Sequence, residues 1–385
     1  MKKRLVLAGS AVVASLGLAV AAAPAVAVAQ PLNLNVSCNA GAAGLIAAVV
    51  QANANPDGAT INLAHRCVYR FTAGTGGNAL PPITTRVTIK GLDSSLIRST
   101  AATTLFRLLS VAPTGELTLK GVVVNGGRTL TNGGGISNEG TLLVEDSTLS
   151  GNQAGLNGGA IFNNNGRVTV VDSKLLTNIA IAVDGGALFN TTNGSVTLKK
   201  TTVAGNTSSI NGGGVENNGT LRVLDHSVFT HNEAHDGNGG ALSNIGPTAH
   251  TAISDSKFTA NWAGFDGGAV FNGVRAALEA RETVFDLNKA GRDGGAIDNE
   301  GTALLERIKI EKNSAGRNGG GINNWVAGLP AARVTLVRSL VVQNRAAENG
   351  GGINNDVNGI VELRDDKVIH NLPTNCAGNV AHCVG

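Results

Sequence analysis

The sequence predicts an all-β protein: a three-faced right-handed parallel β-helix (solenoid) with one short N-terminal capping helix. Three observations carry this. The hexapeptide Gly-Gly-(Gly/Ala)-(Ile/Leu/Val)-x-Asn is written nine times, beginning at Gly133, Gly158, Gly185, Gly212, Gly239, Gly267, Gly294, Gly319 and Gly350, at spacings of 25 to 31 residues. Every copy follows an Asn or Asp, and Asn-Gly or Asp-Gly reaches positive φ cheaply, marking a tight bend. Between copies stand strand-length runs of alternating β-branched residues, such as "RVTVVD" and "RVTLVR", and no helix-length segment. Such a unit cannot bury its aliphatic row alone; a neighbour ~4.8 Å above or below covers it and completes its backbone hydrogen bonds. A propeller blade needs about 40 residues, and a sandwich would not keep the period. The period does not carry the hand of the solenoid, which follows from the right-handedness of parallel crossovers.

The elements follow in chain order. Residues 1–29 read as a secretory signal peptide: a basic start at Lys2-Lys3-Arg4, an apolar run from Leu5, and a small-residue site at Ala27-Val28-Ala29. Its removal lowers Lys+Arg from 30 to 27, equal to Asp+Glu. A formally neutral mature chain gives no reason to expect a nucleic-acid partner or a polybasic membrane patch. No later apolar run reaches the ~18 residues of a membrane span. The location expected is therefore secreted, extracellular or cell envelope, and the state expected is a monomer.

Residues 30–72 supply an N-terminal cap and first rung. Ala42, Leu45, Ile46, Val49 and Val50 fall near one helical face, and Asn53, Asn55 and Pro56 supply a stop. A helix there would cover an open strand edge that otherwise invites aggregation. Residues 73–128 form irregular early rungs, 129–371 the repeated rungs, and 372–385 a C-terminal cap. Nine repeats plus three or four early rungs make a rod roughly 60 Å long. The four cysteines allow three connectivities. Only Cys38–Cys67 with Cys376–Cys383 staples each end locally, and export makes disulfides chemically reasonable. Metal binding is not expected, because no Cys-x-x-Cys and no His at ligand spacing accompanies them.

Within each repeat, two Asn positions recur. Asn138, Asn163, Asn190, Asn217, Asn244, Asn272, Asn299, Asn324 and Asn355 close the hexapeptides. Asn152, Asn178, Asn206, Asn232, Asn261, Asn288, Asn313, Asn344 and Asn371 end a later strand. Identical amides at identical corners can bond to one another along a stack, so both series are expected to form ladders.

The pairing of "GGAIFN" with "SKFTAN" resembles the repeat of polymorphic outer-membrane proteins, a GGA(I/L/V) element alternating with Phe-x-x-Asn. Phe229–Asn232, Phe258–Asn261 and Phe285–Asn288 keep the Phe, whereas "LSGN" and "LLTN" replace it. The head, "CNAGAAGLIAAVVQANANPDGATINLAHRCVYRFT", is similar to the Cys-initiated cap of exported bacterial right-handed β-helix repeat proteins. Together these cover about residues 38 to 385. The resemblance implies the fold, and an autotransporter or adhesin setting. No barrel-type strands follow the repeats, so anchoring by that route is not expected.

Fold alone does not license catalysis. Polygalacturonase-like glycosidases carry Asn-Thr-Asp, Asp-Asp, Gly-His-Gly and Arg-Ile-Lys in that order. Here Arg307-Ile308-Lys309 occurs, the single Asp365-Asp366 follows it, and the other two are missing. "VLDHS" (Val223 to Ser227) resembles a pectate lyase strand, but sits where other rungs read "VEDS" and "VVDS". The seven His residues never pair with a Ser or Cys in a recognisable nucleophile motif, so no triad is inferred. No catalytic, cofactor or metal residues are therefore assigned.

Two columns remain as binding surfaces. Six residues before the second Asn series stand Asp146, Asp172, Lys200, Asp225-His226, Asp255, Glu282, Arg307, Arg338 and Asp365. Asp146 and Asp172 would repel or share a Ca²⁺; Asp172–Lys200 and Glu282–Arg307 would pair weakly if exposed. The other column is the x of the hexapeptide, including Phe162 and Phe189, which would expose an apolar patch if alternation holds and no loop covers it. The function expected is a secreted, non-catalytic solenoid presenting an extended surface to a glycan or envelope protein. The alternative is a β-helix polysaccharide lyase or glycoside hydrolase with an unrecognised site. Clustered carboxylates in a cleft beside a basic residue would favour the enzyme; a flat face would favour the scaffold.

Overall fold

In a computed structural model the described residues are 30–328 and 330–383; the expected signal peptide, 1–29, lies outside them. From Pro31 on, the chain winds as one parallel β-solenoid. A representative turn runs through four strands, Ile136–Asn138 (β1), Thr141–Glu145 (β2), Thr148–Ser150 (β3) and Gln153–Ala154 (β4). The sequence reading found the first three. The fourth is a dipeptide, too short for alternation to reveal, and it exists because it pairs in register with its copies above and below, Gln153 with Arg128 and Ile179.

Neighbouring turns pair in parallel and build three sheets of 23, 11 and 9 strands. β1 and its copies form the 11-stranded sheet and β4 and its copies the 9-stranded one, whereas the largest holds β2, β3 and their copies. The two long strands Arg86–Arg98 and Glu116–Asn125 run through both of its halves. In the repeats those halves meet at the corner that contains Asp146 and Asp172, whose φ angles are 48° and 47°. Short polar side chains tolerate this left-handed conformation best, although Lys200, Glu282, Arg307 and Arg338 also adopt it.

Register turns the repeat into columns. Ile161 pairs with Ile136 and Leu188, and every aliphatic residue of the hexapeptide from Ile136 to Ile353 is fully buried. On β3 and its copies the core column reads Leu149, Leu175, Val203, Phe229, Phe258, Phe285, Ile310, Val341 and Val368. The Phe-x-x-Asn rings stack there, with centroids 4.6 Å apart for Phe229–Phe258 and 5.1 Å for Phe258–Phe285. Leu replaces Phe elsewhere because the column requires an apolar volume, which several shapes supply.

The double glycine is required twice over. Gly185 sits at φ +69°, and a Cβ on Gly186 would lie 2.1 Å from the carbonyl oxygen of Gly213 on the next turn. The first glycine makes the bend; the second lets adjacent backbones touch.

At the N-terminal end Gly41–Asn53 (α1) packs against the first strands. Its buried face is Leu45, Ala48, Val49 and Ala52. Val50, placed on that face by sequence, is 54% exposed. The helix is apolar nearly all round, so composition does not fix its rotation; the i, i+3, i+4, i+7 set that meets the strand ends does. Cys38–Cys67 ties this cap to the first turn, with Cα atoms 5.4 Å apart. Tyr69, fully buried, donates its hydroxyl proton to the Val36 carbonyl at 2.7 Å. At the other end Cys376–Cys383 closes a short loop over the last turn.

Candidate functional site

Both Asn series run as continuous amide ladders. Nδ2 of each residue donates to Oδ1 of the next, at 2.7–2.8 Å from Asn138 to Asn355. From Asn152 to Asn371 the distances are 2.9–3.0 Å. These amides are buried, and a buried amide is tolerated only when its groups find partners.

A third ladder lies on the residues that precede the glycines, which sequence reasoning had marked only as bend formers. Backbone N–H groups of Asn157, Asp184, Asn211, Asn238, Asp266, Asp293 and Asn318 donate to the side-chain oxygen of the preceding turn's Asn or Asp, at 2.7–3.2 Å. The restriction of this position to Asn or Asp in all nine copies was the available signal.

The x column does not stand out into solvent. Phe189, Glu216, Ser243, Phe271, Asp298 and Asn323 are buried, and Phe162, half-buried, stacks on Phe189 with centroids 5.6 Å apart. The Asn/Asp-Gly-Gly turn doubles back beside the column: a Cβ on Gly133 would stand 3.1 Å from Phe162 Cβ. This corrects the apolar patch offered by simple alternation. The column forms the floor of a groove whose rim carries the third ladder.

Along the first turns the floor is small or apolar, Glu216 excepted. From Asp298 onward it reads Asp298, Asn323 and Asn354, and the rim beside it is Asp266 and Asp293. There the groove deepens into a cleft of about 260 Å³ lined also by Arg292, Glu300, Arg317 and Trp325. Arg292 grips Asp266 with two hydrogen bonds, at 3.2 Å from Nε and 2.5 Å from the terminal nitrogen. Its guanidinium also lies 5.0 Å from the ring centroid of Phe265. Arg317 pairs with Asp293. The Asn323 amide donates to Asp298 at 2.6 Å, and the Asn354 amide to Asn323 at 2.8 Å.

Burial pushes the Asp298 carboxyl well above the usual carboxylate range, and the neighbouring Asp266 adds to the shift. Burial and Asp266 raise Glu300 to about 7, against the opposing pull of Arg292. Asp266 is raised by burial despite Arg292. Trp325 opens the eight-residue connection between Asn324 and Arg333, and its backbone N–H donates to the Asn299 carbonyl at 2.9 Å. That bond anchors the Trp325 main chain to the turn that carries Glu300, and the indole lines the cleft.

The other sequence-selected residues lie apart from this cleft. Asp146 and Asp172 occupy the left-handed corner, and among the described residues no three acidic, His or Cys side chains gather as metal ligands. Glu282 pairs with Arg307 at 3.0 Å, but Asp172 and Lys200 form no ion pair among the described residues; Lys199 reaches Asp225 at 3.1 Å instead. Ile308 of the Arg-Ile-Lys triplet is buried, and Lys309 pairs with Glu311 at 2.7 Å. In "VLDHS", His226 Nδ1 meets Asp255 at 3.1 Å.

Fold and site together define a parallel β-solenoid repeat protein with a mixed-charge cleft in its groove. A family model of the Chlamydia polymorphic membrane protein repeat matches residues 146–164, which span one Asn of the second ladder, a glycine turn and one Asn of the first. The chain is thus a β-helix repeat protein that resembles the polymorphic membrane proteins. No curated protein and no solved structure matches it at a significant level. Among the described residues no helix is long and apolar enough to cross a membrane.

Proposed function

We propose that this chain is a secreted, adhesin-like solenoid of the cell envelope or extracellular space that binds through its groove face. The observation that carries the proposal is the groove face, a continuous surface over the stacked turns whose register fixes every wall. The family match supports an envelope setting, since that repeat is named for a membrane protein. A rigid rod loses little conformational entropy on binding, so modest contacts suffice for retention.

The convergence of Asp298, Glu300 and Arg292 favours a second reading, a glycoside hydrolase or polysaccharide lyase. A carboxyl raised towards neutrality is suited to protonate a leaving oxygen. One experiment separates the two. Residues 30–385 are applied to arrays of bacterial, plant and host glycans and to whole cells. Soluble products are followed by unsaturated-uronate absorbance and reducing-end release. Retention without product is the expected result; turnover on any polymer would replace the first reading with the second.

A further inference from the structure

We infer that the cleft is a subsite for one uncharged pyranose ring of a glycan, with the Trp325 indole as its stacking face and Asp298, Glu300 and Asn323 as its hydrogen-bonding edge. This rests on the reading of the protein as a surface-binding solenoid and names the ligand class.

Four observations converge on it. The repeat is broken most at this place: connections from the first Asn ladder to the next strand take two to five residues elsewhere, and eight after Asn324. Insertions in a solenoid map to loops on one face, often the binding face. The insertion delivers Trp325, 48% exposed although the groove floor beside it is buried. An indole on an anchored main chain offers a flat surface at little entropic cost, and its ring N–H adds a polar handle.

Charge decides between ligands. Arg292 and Arg317 are already paired with Asp266 and Asp293. Among the described residues neither Asp298 nor Glu300 has an ion-pair partner, so a ligand carboxylate or phosphate would meet carboxyl groups and spent cations. With both arginines paired, a buried ligand anion would find no free cation among the described residues of the cleft, so uronates, phosphosugars and acidic peptides are disfavoured by uncompensated desolvation. The polar groups that remain, two carboxyls and the Asn323–Asn354 amides, are planar with paired donors or acceptors, suited to adjacent hydroxyls. Size agrees: about 260 Å³ falls just below the ~300 Å³ at which drug-sized pockets begin, enough for one ring and too little for a folded peptide element.

The test uses residues 30–385 with Trp262→Phe, leaving Trp325 as the one emitting indole. Emission and calorimetry are followed during titration with chitohexaose, cellohexaose, hexagalacturonate and hexalysine. At least one uncharged hexamer should shift Trp325 emission saturably and bind roughly tenfold or more tighter than hexagalacturonate. Trp325→Ala in the otherwise natural chain should weaken that binding by roughly tenfold or more. Thermal unfolding should be unchanged in that variant, because the side chain is half in solvent. Preference for hexagalacturonate, binding of hexalysine alone, indifference to Trp325→Ala, or silence with both uncharged hexamers would each overturn the inference. Adhesion to cells is scored in parallel. Adhesion by the natural chain with neither uncharged hexamer bound removes this ligand class and leaves the adhesin reading; a natural chain that neither adheres nor binds sugar removes the two together.

Discussion

Asn206 offers the sharpest test of what holds the stack. Its Oδ1 accepts from the backbone N–H of Asn178 at 2.9 Å and from the Asn178 amide at 3.0 Å. Its Nδ2 donates to the Leu175 carbonyl at 3.0 Å and to Asn232 Oδ1 at 2.9 Å. Asn206→Leu fills much of the same volume but removes every one of these bonds. The Asn178 N–H loses its acceptor outright, and the Leu175 carbonyl loses this donor. At about 1–3 kcal/mol for each buried group left unpaired, the cost is about 2–6 kcal/mol. Nearest-neighbour coupling in a solenoid keeps the damage within the adjacent turns. Denaturant unfolding monitored by circular dichroism, with amide exchange resolved at Asn178, measures both. Asn164→Ala, which removes only an exposed bond to Glu139, is the control and should change stability by less than about 0.5 kcal/mol. If Asn206→Leu costs under about 1 kcal/mol and the Asn178 amide stays protected, the ladders are a by-product of repetition and the reasoning fails.

Further outcomes follow from the same columns. Phe258→Ala should cost about 3–5 kcal/mol, whereas Phe258→Leu should cost less than about 1.5 kcal/mol, because Leu already serves that column at Leu149 and Leu175; equal losses in calorimetry would contradict the volume argument. Gly186→Ala, with its Cβ facing the Gly213 carbonyl at 2.1 Å, should cost about 3 kcal/mol, and a neutral result in denaturant titration would show that neighbouring turns can part there. The raised Glu300 pKa binds its proton more tightly in the folded state, so its contribution is fully present below about 4.5 and is lost as pH rises through about 7. Glu300→Gln should flatten the fall in melting temperature over that window by the equivalent of about 1–2 kcal/mol, allowing for solvent screening at its partly exposed site, and parallel profiles would exclude Glu300 as the titrating group.

The cleft and the groove face bear on how new function enters a repetitive fold. Every turn reuses the same corner and ladder chemistry, so side chains that satisfy the stack have little freedom. The residues that differ are those the stack does not consume: the floor position, the rim when it turns from Asn to Asp, and the connection after Asn324. Asp266 and Asp293 keep the ladder bond through one carboxylate oxygen and offer the other to an arginine. Replacing Asn by Asp at the rim therefore adds charge without breaking architecture.

Much of this was legible beforehand. A period of about 27 residues, a glycine pair with Asn or Asp before it, and alternating aliphatic residues dictate stacked parallel turns, because no other arrangement satisfies the backbone and buries the row. The two Asn ladders and the helical N-terminal cap could be placed by number for the same reason: in-register stacking maps sequence period directly onto spatial neighbours. Three things waited for the tertiary structure. The dipeptide strand at Gln153–Ala154 has no sequence period of its own and is set by its neighbours. The rotation of the capping helix depends on which side chains meet the strand ends. The cleft joins Asp266, Asp298 and Trp325, which lie on successive turns and in three different columns. Alternation told only that the floor column opposed the core. Whether it met water or the returning glycine turn depended on how far that turn folds back, a long-range packing outcome that no local pattern encodes.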